Sequence, residues 1–113
     1  MNNCKTCGQN IPEITIQIIP AKTLEWGKTC EEQLNWEDAD AWCKGLVGGW
    51  RLPTNIELLQ ACDDKVEGFK KEYYWSVAGG IARFAWIVDF SDGNQGNIYK
   101  TNADCVRAVR TLI

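Results

Sequence analysis

The chain has 113 residues, 12 Lys and Arg against 15 Asp and Glu, no His, and a formal net charge of -3. That length supports one domain with a single modest core and excludes a second independent one. The charge balance, with Arg and Lys scattered rather than striped, excludes nucleic-acid binding through phosphates and gives no footprint for an anionic membrane.

Six tryptophans in so short a chain bring large apolar areas together with N–H groups that need partners, which predicts a compact fold pinned by aromatics. The N-terminal stretch MNNCKTCGQN lacks the apolar core of a signal peptide, and no downstream run is long enough to cross a bilayer. The expectation is synthesis in the cytoplasm without a signal peptide, and no membrane insertion.

Residues 1–12 read as a short segment built on Cys4, Cys7 and Gly8, ahead of a domain over 13–113. A zinc knuckle has this C-x-x-C-G shape, the glycine letting the chain turn so that amides face the thiolates. Cys4 and Cys7 supply half of a tetrahedral site. With no His in the chain, the other half would come from a neighbouring subunit or from Cys30 and Cys62. A redox dithiol and plain structural thiols are the competing readings. Zinc at Cys4 and Cys7 is the one cofactor the sequence offers.

In IPEITIQIIP, residues 11–20, Ile14, Ile16 and Ile18 alternate with Thr15, Gln17 and Ile19 between two prolines, which predicts an opening strand. NWEDADAWCKGL predicts a first helix over about 36–46. Asn35 is its N-cap, acidic residues occupy the first turn where the dipole favours them, and Trp36, Ala39, Cys43 and Leu46 recur at helical spacing. After Gly48 and Gly49, WRLPTNIELLQAC holds a T-x-x-E capping box at Thr54 and Glu57, which predicts a second helix over about 55–63. From Tyr73 the pattern is strand-like, with turns at Gly79-Gly80 and from Ser91 to Gly96. Within FAWIVDF, alternation points Trp86, Val88 and Phe90 to the core and Ile87 and Asp89 away from it. CVRAVRTLI closes the chain as a terminal strand. Two helices followed by antiparallel strands define the α+β class.

Several of these segments form a pattern found elsewhere. The helix W-x-x-A-x-x-x-C-x-x-L (Trp36, Ala39, Cys43, Leu46) precedes G-G-W-R-L-P-T and E-L (Gly48 to Thr54, Glu57, Leu58). Then come Y-W-S, A-W-x-V-x-F and V-R-A-V-R. Over roughly residues 30–113 this resembles a bacterial and phage family of C-type-lectin-like domains, and implies that fold: two helices packed on a small antiparallel sheet with a loop-rich C-terminal half. Within that family, the C-terminal pattern is most similar to the variable proteins of diversity-generating retroelements. These interleave a fixed framework with positions rewritten by mutagenic reverse transcription.

The resemblance bears on an oddity of composition. After Glu72 the chain has no Glu, a single Lys (Lys100) and a single Gln (Gln95). In such systems the targeted codon is typically AAC. Changes at its first two bases reach Asn, Asp, His, Tyr, Ser, Gly, Arg, Cys, Thr, Ala, Pro, Ile, Val, Phe and Leu, but never Glu, Lys, Gln, Met or Trp. With Trp75, Ala85, Trp86, Val88, Phe90, Gly93, Gln95, Lys100 and the run from Val106 to Arg110 as framework, every intervening residue from Val77 to Cys105 is of a permitted type.

The variable region so implied is about 77–105. Its ligand-binding surface would comprise Val77, Ala78, Gly79, Gly80, Ile81, Arg83, Phe84, Ile87, Asp89, Ser91, Asp92, Asn94, Gly96, Asn97, Ile98, Tyr99, Thr101, Asn102, Ala103 and Asp104. Turn chemistry accounts for Gly, Asn, Asp and Ser in this stretch, but not for the apolar and aromatic residues set among them. Phe84 and Tyr99 would be anchors, with Arg83, Asp89, Asp92 and Asn94 for polar specificity. Arg107 and Arg110 match framework positions and read as structural salt-bridge or capping residues. In many lectin-like domains a disulfide ties the first helix to the last strand, where Cys43 and Cys105 sit here; but Cys105 stands where this subfamily often has Tyr, one base change from Cys, so the resemblance leaves open a bridge or two free thiols.

An enzyme is not expected. The chain has no His, no paired-carboxylate constellation, no G-x-S-x-G and no phosphate-cradling glycine loop. Calcium-dependent sugar binding of the animal lectin kind also lacks its E-P-N or Q-P-D motif. The expected function is non-enzymatic binding of a protein or glycan on a target cell surface, through a diversified face, as in phage adhesion or receptor recognition. The protein would be virion-associated, or alternatively cell-associated, and a homo-oligomer, with a trimer implied by the resemblance. The alternative is a structural virion protein, for decoration or assembly, with an invariant lectin-like fold.

Overall fold

A computed structural model describes residues 24–79 and 83–112. The expected strand over 11–20 and the Cys4/Cys7 pair lie outside the described residues. Inside them the chain forms β1 (Leu24–Thr29), α1 (Trp36–Lys44), α2 (Asn55–Asp63), β2 (Tyr73–Gly79), β3 (Phe84–Asp89), β4 (Asn94–Tyr99) and β5 (Arg107–Thr111). The strands make two antiparallel sheets, β1 with β5, and β2-β3-β4 in that order. Two helices on a small antiparallel sheet system is the α+β class read from the sequence.

Local chemistry sets both helices. Asn35 accepts the Asp38 amide at 2.8 Å, with Glu37 and Asp38 in the first turn of α1. The helix stops at Lys44, two residues short of the expected end, because Gly45 caps it and the Leu46 amide turns back to the Cys43 carbonyl. At α2 the capping box closes in both directions, Glu57 N–H to Thr54 Oγ1 at 3.0 Å and Thr54 N–H to Glu57 Oε1 at 2.9 Å. Its bounds are those expected.

The strands are set by distant partners. LEWGKT shows no clean alternation, yet it becomes β1 because β5 pairs with it, Glu25 opposite Arg110 and Trp26 opposite Val109. Gly27 leaves room there for Trp50, whose ring atoms would lie 3.0 Å from any added Cβ. The expected turn from Ser91 to Gly96 ends early. Asp89 Oδ1 accepts both the amide and the hydroxyl of Ser91, and the Gly93 amide returns to the Asp89 carbonyl with Gly93 at φ 80°. Asn94 and Gly96, turn formers by type, are then drawn into β4 by a continuous ladder with β3.

W-R-L-P-T staples the two sheets together. Arg51 exchanges backbone hydrogen bonds with Val109 of β5, both 2.9 Å, and the Pro53 carbonyl accepts the Val77 amide of β2 at 2.7 Å. Leu52 and Pro53 between them are fully buried. Arg107 donates to the carbonyls of Gly27 and Glu67, and Arg110 pairs with Glu25 at 2.7 Å, the structural roles expected of both.

The core has two parts, one on each face of β2-β3-β4. Trp75, Ala85 and Ile87 pack with Ala39 and Cys43 of α1, Leu52, Val106 and Ala108. Tyr74 and Val88 pack on the other side with Leu58 of α2 and Cys105. This corrects the expectation for β3: Ile87 is only 4% exposed and does not face outward. Alternation along a strand assumes one wet face, and here a helix covers each. Cys43 and Cys105 fall in different clusters, and of the two outcomes that the resemblance leaves open the structure has the second: both are free thiols.

Candidate recognition surface

The β3–β4 ladder pairs Phe84 with Tyr99, Trp86 with Asn97 and Val88 with Gln95. Directly paired residues share a face of the sheet, so these six side chains form one strip. At one end α2 covers it: Val88 is buried and Gln95 accepts from Asn55 Nδ2 at 2.9 Å. Away from α2 the cover ends. Trp86 and Phe84 are half-buried, Asn97 is exposed and Tyr99 is 53% exposed. The Phe84 and Tyr99 rings lie 4.6 Å apart between centroids, tilted by 30°. They form a fixed aromatic plate at the open end of the sheet.

Beside Tyr99 lies a cleft of about 360 Å³, lined by Asn35, Glu37, Arg83, Tyr99, Lys100 and Thr101. It forms where the start of α1 meets the end of β4. The Lys100 carbonyl accepts the Trp36 amide at 3.0 Å and the Lys100 amide donates to the Arg83 carbonyl at 2.9 Å. Lys100 Nζ sits 4.3 Å from the centroid of the Trp36 ring, and Trp36 Nε1 donates to the Ser76 carbonyl at 2.9 Å. The wall is therefore held by the half-buried Trp36 and Lys100, while its rim offers a guanidinium, an ammonium, a carboxylate and an amide.

The structure divides the sequence-predicted surface. Arg83, Phe84, Tyr99 and Thr101 come together at the open end, where Val77, Gly79, Asn97, Asn102 and Ala103 are also exposed. Ala78, Gly96, Ile98 and Asp104 are half-buried, and Ile98 packs against the α1-side core. Ile87 is core. Gly80 and Ile81 lie outside the described residues. Asp89, Ser91, Asp92 and Asn94 sit at the opposite end of the hairpin, roughly 17–20 Å away along a six-residue strand. There Asp89 and Asp92 each use an oxygen on their own turn, for Ser91 and for the Asn94 amide at 3.0 Å. Ser91 and Asp92 instead line a second cleft of about 460 Å³ with Leu59, Cys62, Asp63, Lys65, Phe90 and Gly93.

Asn35, Glu37 and Lys100 were not anticipated as surface residues. The first two read as helix-capping chemistry and the third as framework, and the docking of Leu34 on Asp104 and of Trp36 on Lys100 and Ser76 brings them to the cleft.

Titration is unusual at one edge of this region. Burial first, then the nearby Glu72 carboxylate, raises the Asp104 carboxyl from 3.8 to about 6. As for metals, among the described residues no group of three or more His, Cys, Asp or Glu is placed to hold an ion. Cys30 packs against the α1-side core while Cys62 lies beside Gly93 at the β3–β4 turn. No helix among the described residues is long and apolar enough to cross a membrane.

What these features define is a small α+β domain with a hydrogen-bonded framework and, among the described residues, an aromatic pair at one end whose Tyr99 is exposed. The family model of the Lcl C-terminal domain matches residues 20–110, and the chain belongs to that family. A comparison with curated proteins finds no match.

Proposed function

We propose that this chain is a non-enzymatic binding module on a C-type-lectin-like scaffold, receiving a protein or glycan of a target cell surface at the open end of β3 and β4. Its family is consistent with a carbohydrate- or receptor-binding type of domain. The observation that carries the reading is the Phe84–Tyr99 plate, left uncovered beside a cleft rimmed by Arg83 and Lys100. Aromatic faces contribute large contact area at low entropic cost, and a flanking guanidinium adds directional hydrogen bonds. One such site is small, so affinity would rest on several copies acting together.

Diversification is the finer part of the proposal. The exposed residues Val77, Arg83, Asn97, Tyr99, Thr101 and Asn102 are all of types reachable from AAC, and none supports the core. Surface positions of this kind tolerate substitution within about 0.5 kcal/mol. A phage virion, for adhesion or receptor recognition, is the setting this reading favours.

Two measurements test it. The chain, biotinylated and tetramerised on streptavidin, is applied to a printed glycan array and to intact bacterial cells; specific retention is expected, and silence on both contradicts the binding role. Sister copies of the gene are sequenced. Differences confined to the exposed positions above, with an AAC-bearing repeat and a reverse-transcriptase frame nearby, are expected, and evenly spread differences contradict diversification while leaving binding intact.

A further inference from the structure

Four cysteines lie among the described residues, Cys30, Cys43, Cys62 and Cys105, all free thiols. Cys43 is fully buried on the inner face of α1, and Cys30, the residue that follows β1, packs half-buried against the same cluster. The Cys30 amide donates to the Val106 carbonyl at 2.9 Å, and Val106 is itself a member of that cluster. Trp42, the residue before Cys43 on α1, lines a cleft together with Cys30, which sets the two cysteines on neighbouring segments. Burial first, then Asp40 and Cys30, push the Cys43 thiol up to about 12. On its open side Cys30 lines a cleft of about 420 Å³ with Lys28, Glu31 and Trp42, wide enough for a small reagent to reach it. Cys105 lies apart, in the other cluster, beside Gln33 and Glu72.

We infer that Cys30 and Cys43 are an oxidisable pair that closes into an intramolecular disulfide, Cys30 being the entry thiol and Cys43 the resolving one. This goes beyond the binding role. The oxidant class is a small-molecule disulfide such as oxidised glutathione. The Cys30 thiolate attacks one sulfur of that disulfide, whose S–S bond breaks and releases one glutathione thiolate. Cys43 then gives up its proton and attacks the Cys30 sulfur of the mixed disulfide, expelling the second glutathione. Two electrons pass to the glutathione disulfide, and the protons of the two thiols go to the two glutathiones. Because Cys43 holds its proton at neutral pH, the second step quickens as pH rises. The bond would tie the end of β1 to α1, whose first turn carries the cleft residue Glu37.

The chain offers a clean test, because Lys28 and Lys44 bracket both cysteines and trypsin releases residues 29–44 with no other cysteine. The full chain is incubated with oxidised glutathione, its remaining thiols are alkylated in denaturant, and it is digested and weighed. Expected is a 29–44 peptide that resists alkylation and is lighter by two hydrogen atoms than the reduced form. In Cys43→Ser, Cys30 should instead carry glutathione. In Cys30→Ser, which alters a half-buried position and keeps the core intact, Cys43 should alkylate. A wild-type peptide alkylated at both thiols, one carrying glutathione on Cys30 with Cys43 alkylated, or a link from Cys43 to Cys105 overturns the inference.

Discussion

Lys100 holds its ammonium 4.3 Å from the centre of the Trp36 ring, joining the end of β4 to the first residue of α1. It is the single Lys after Glu72, and it forms one wall of the cleft beside Tyr99. Replacing it with Met keeps the length of the chain but removes the charge. A loss of about 0.5–1 kcal/mol in urea unfolding is expected. No loss would show that the backbone bonds of Lys100 alone hold this corner.

Arg51 grips Glu57 with two parallel hydrogen bonds of 2.9 Å, and the same carboxylate caps α2. Burial pushes the Glu57 carboxyl up, but hydrogen bonds from Arg51 and Thr54 and the Arg51 charge more than offset this, so its pKa lies below the ordinary carboxylate value. A depressed pKa stabilises the fold above the unfolded value and ceases to do so as pH falls through the folded one. Glu57→Gln should therefore cost stability at pH 7, by about 1–2 kcal/mol, and the deficit should shrink at the acid end. A deficit constant from pH 7 down to acid unfolding would contradict the assignment.

Asp104 runs the other way. Its carboxyl is raised to about 6, so the folded chain binds more protons than the unfolded one between the ordinary value of 3.8 and about 6. This contribution is fully present below 3.8 and is lost as pH rises through about 6. Asp104→Asn should flatten that fall and leave the variant more stable than the parent at pH 7. Thermal melts across this window decide it; parallel curves for parent and variant would rule it out.

The two faces of β3 set which positions tolerate substitution. Ile87→Asn places an amide in a core where the side chain is only 4% exposed. It should cost roughly 3 kcal/mol or more. Tyr99→Asn, at an exposed position, should cost at most about 1 kcal/mol. Chemical denaturation of both variants is the check, and equal costs would mean that the core boundary is drawn in the wrong place.

How much of this could be read from sequence depended on distance along the chain. Capping residues lie within three positions of the amides they serve, so Asn35, Thr54 and Glu57 announced their helices, and α2 matched residue for residue. Trp75 could be read as framework, but not that its Nε1–H would reach the Leu34 carbonyl at 2.8 Å. β1 is not legible in the sequence, because LEWGKT has no pattern of its own until β5 pairs with it. Ile87 is core although alternation points it outward, because alternation cannot say whether the second face of a sheet is covered. Arg83, Phe84 and Tyr99 were legible as surface residues, whereas Asn35, Glu37 and Lys100 become their neighbours only when Trp36 docks on β4.

The most direct test of the binding surface compares tetramers of the parent, Tyr99→Ala and Arg83→Ala on whichever printed glycans or intact cells the parent retains. Melting temperatures are recorded alongside. Each variant should weaken retention by about tenfold or more while melting as the parent does. Undiminished retention by both, with the loss appearing instead in Ser91→Ala and Asp92→Ala at the far turn, would place recognition at the wrong end of the hairpin and contradict the account.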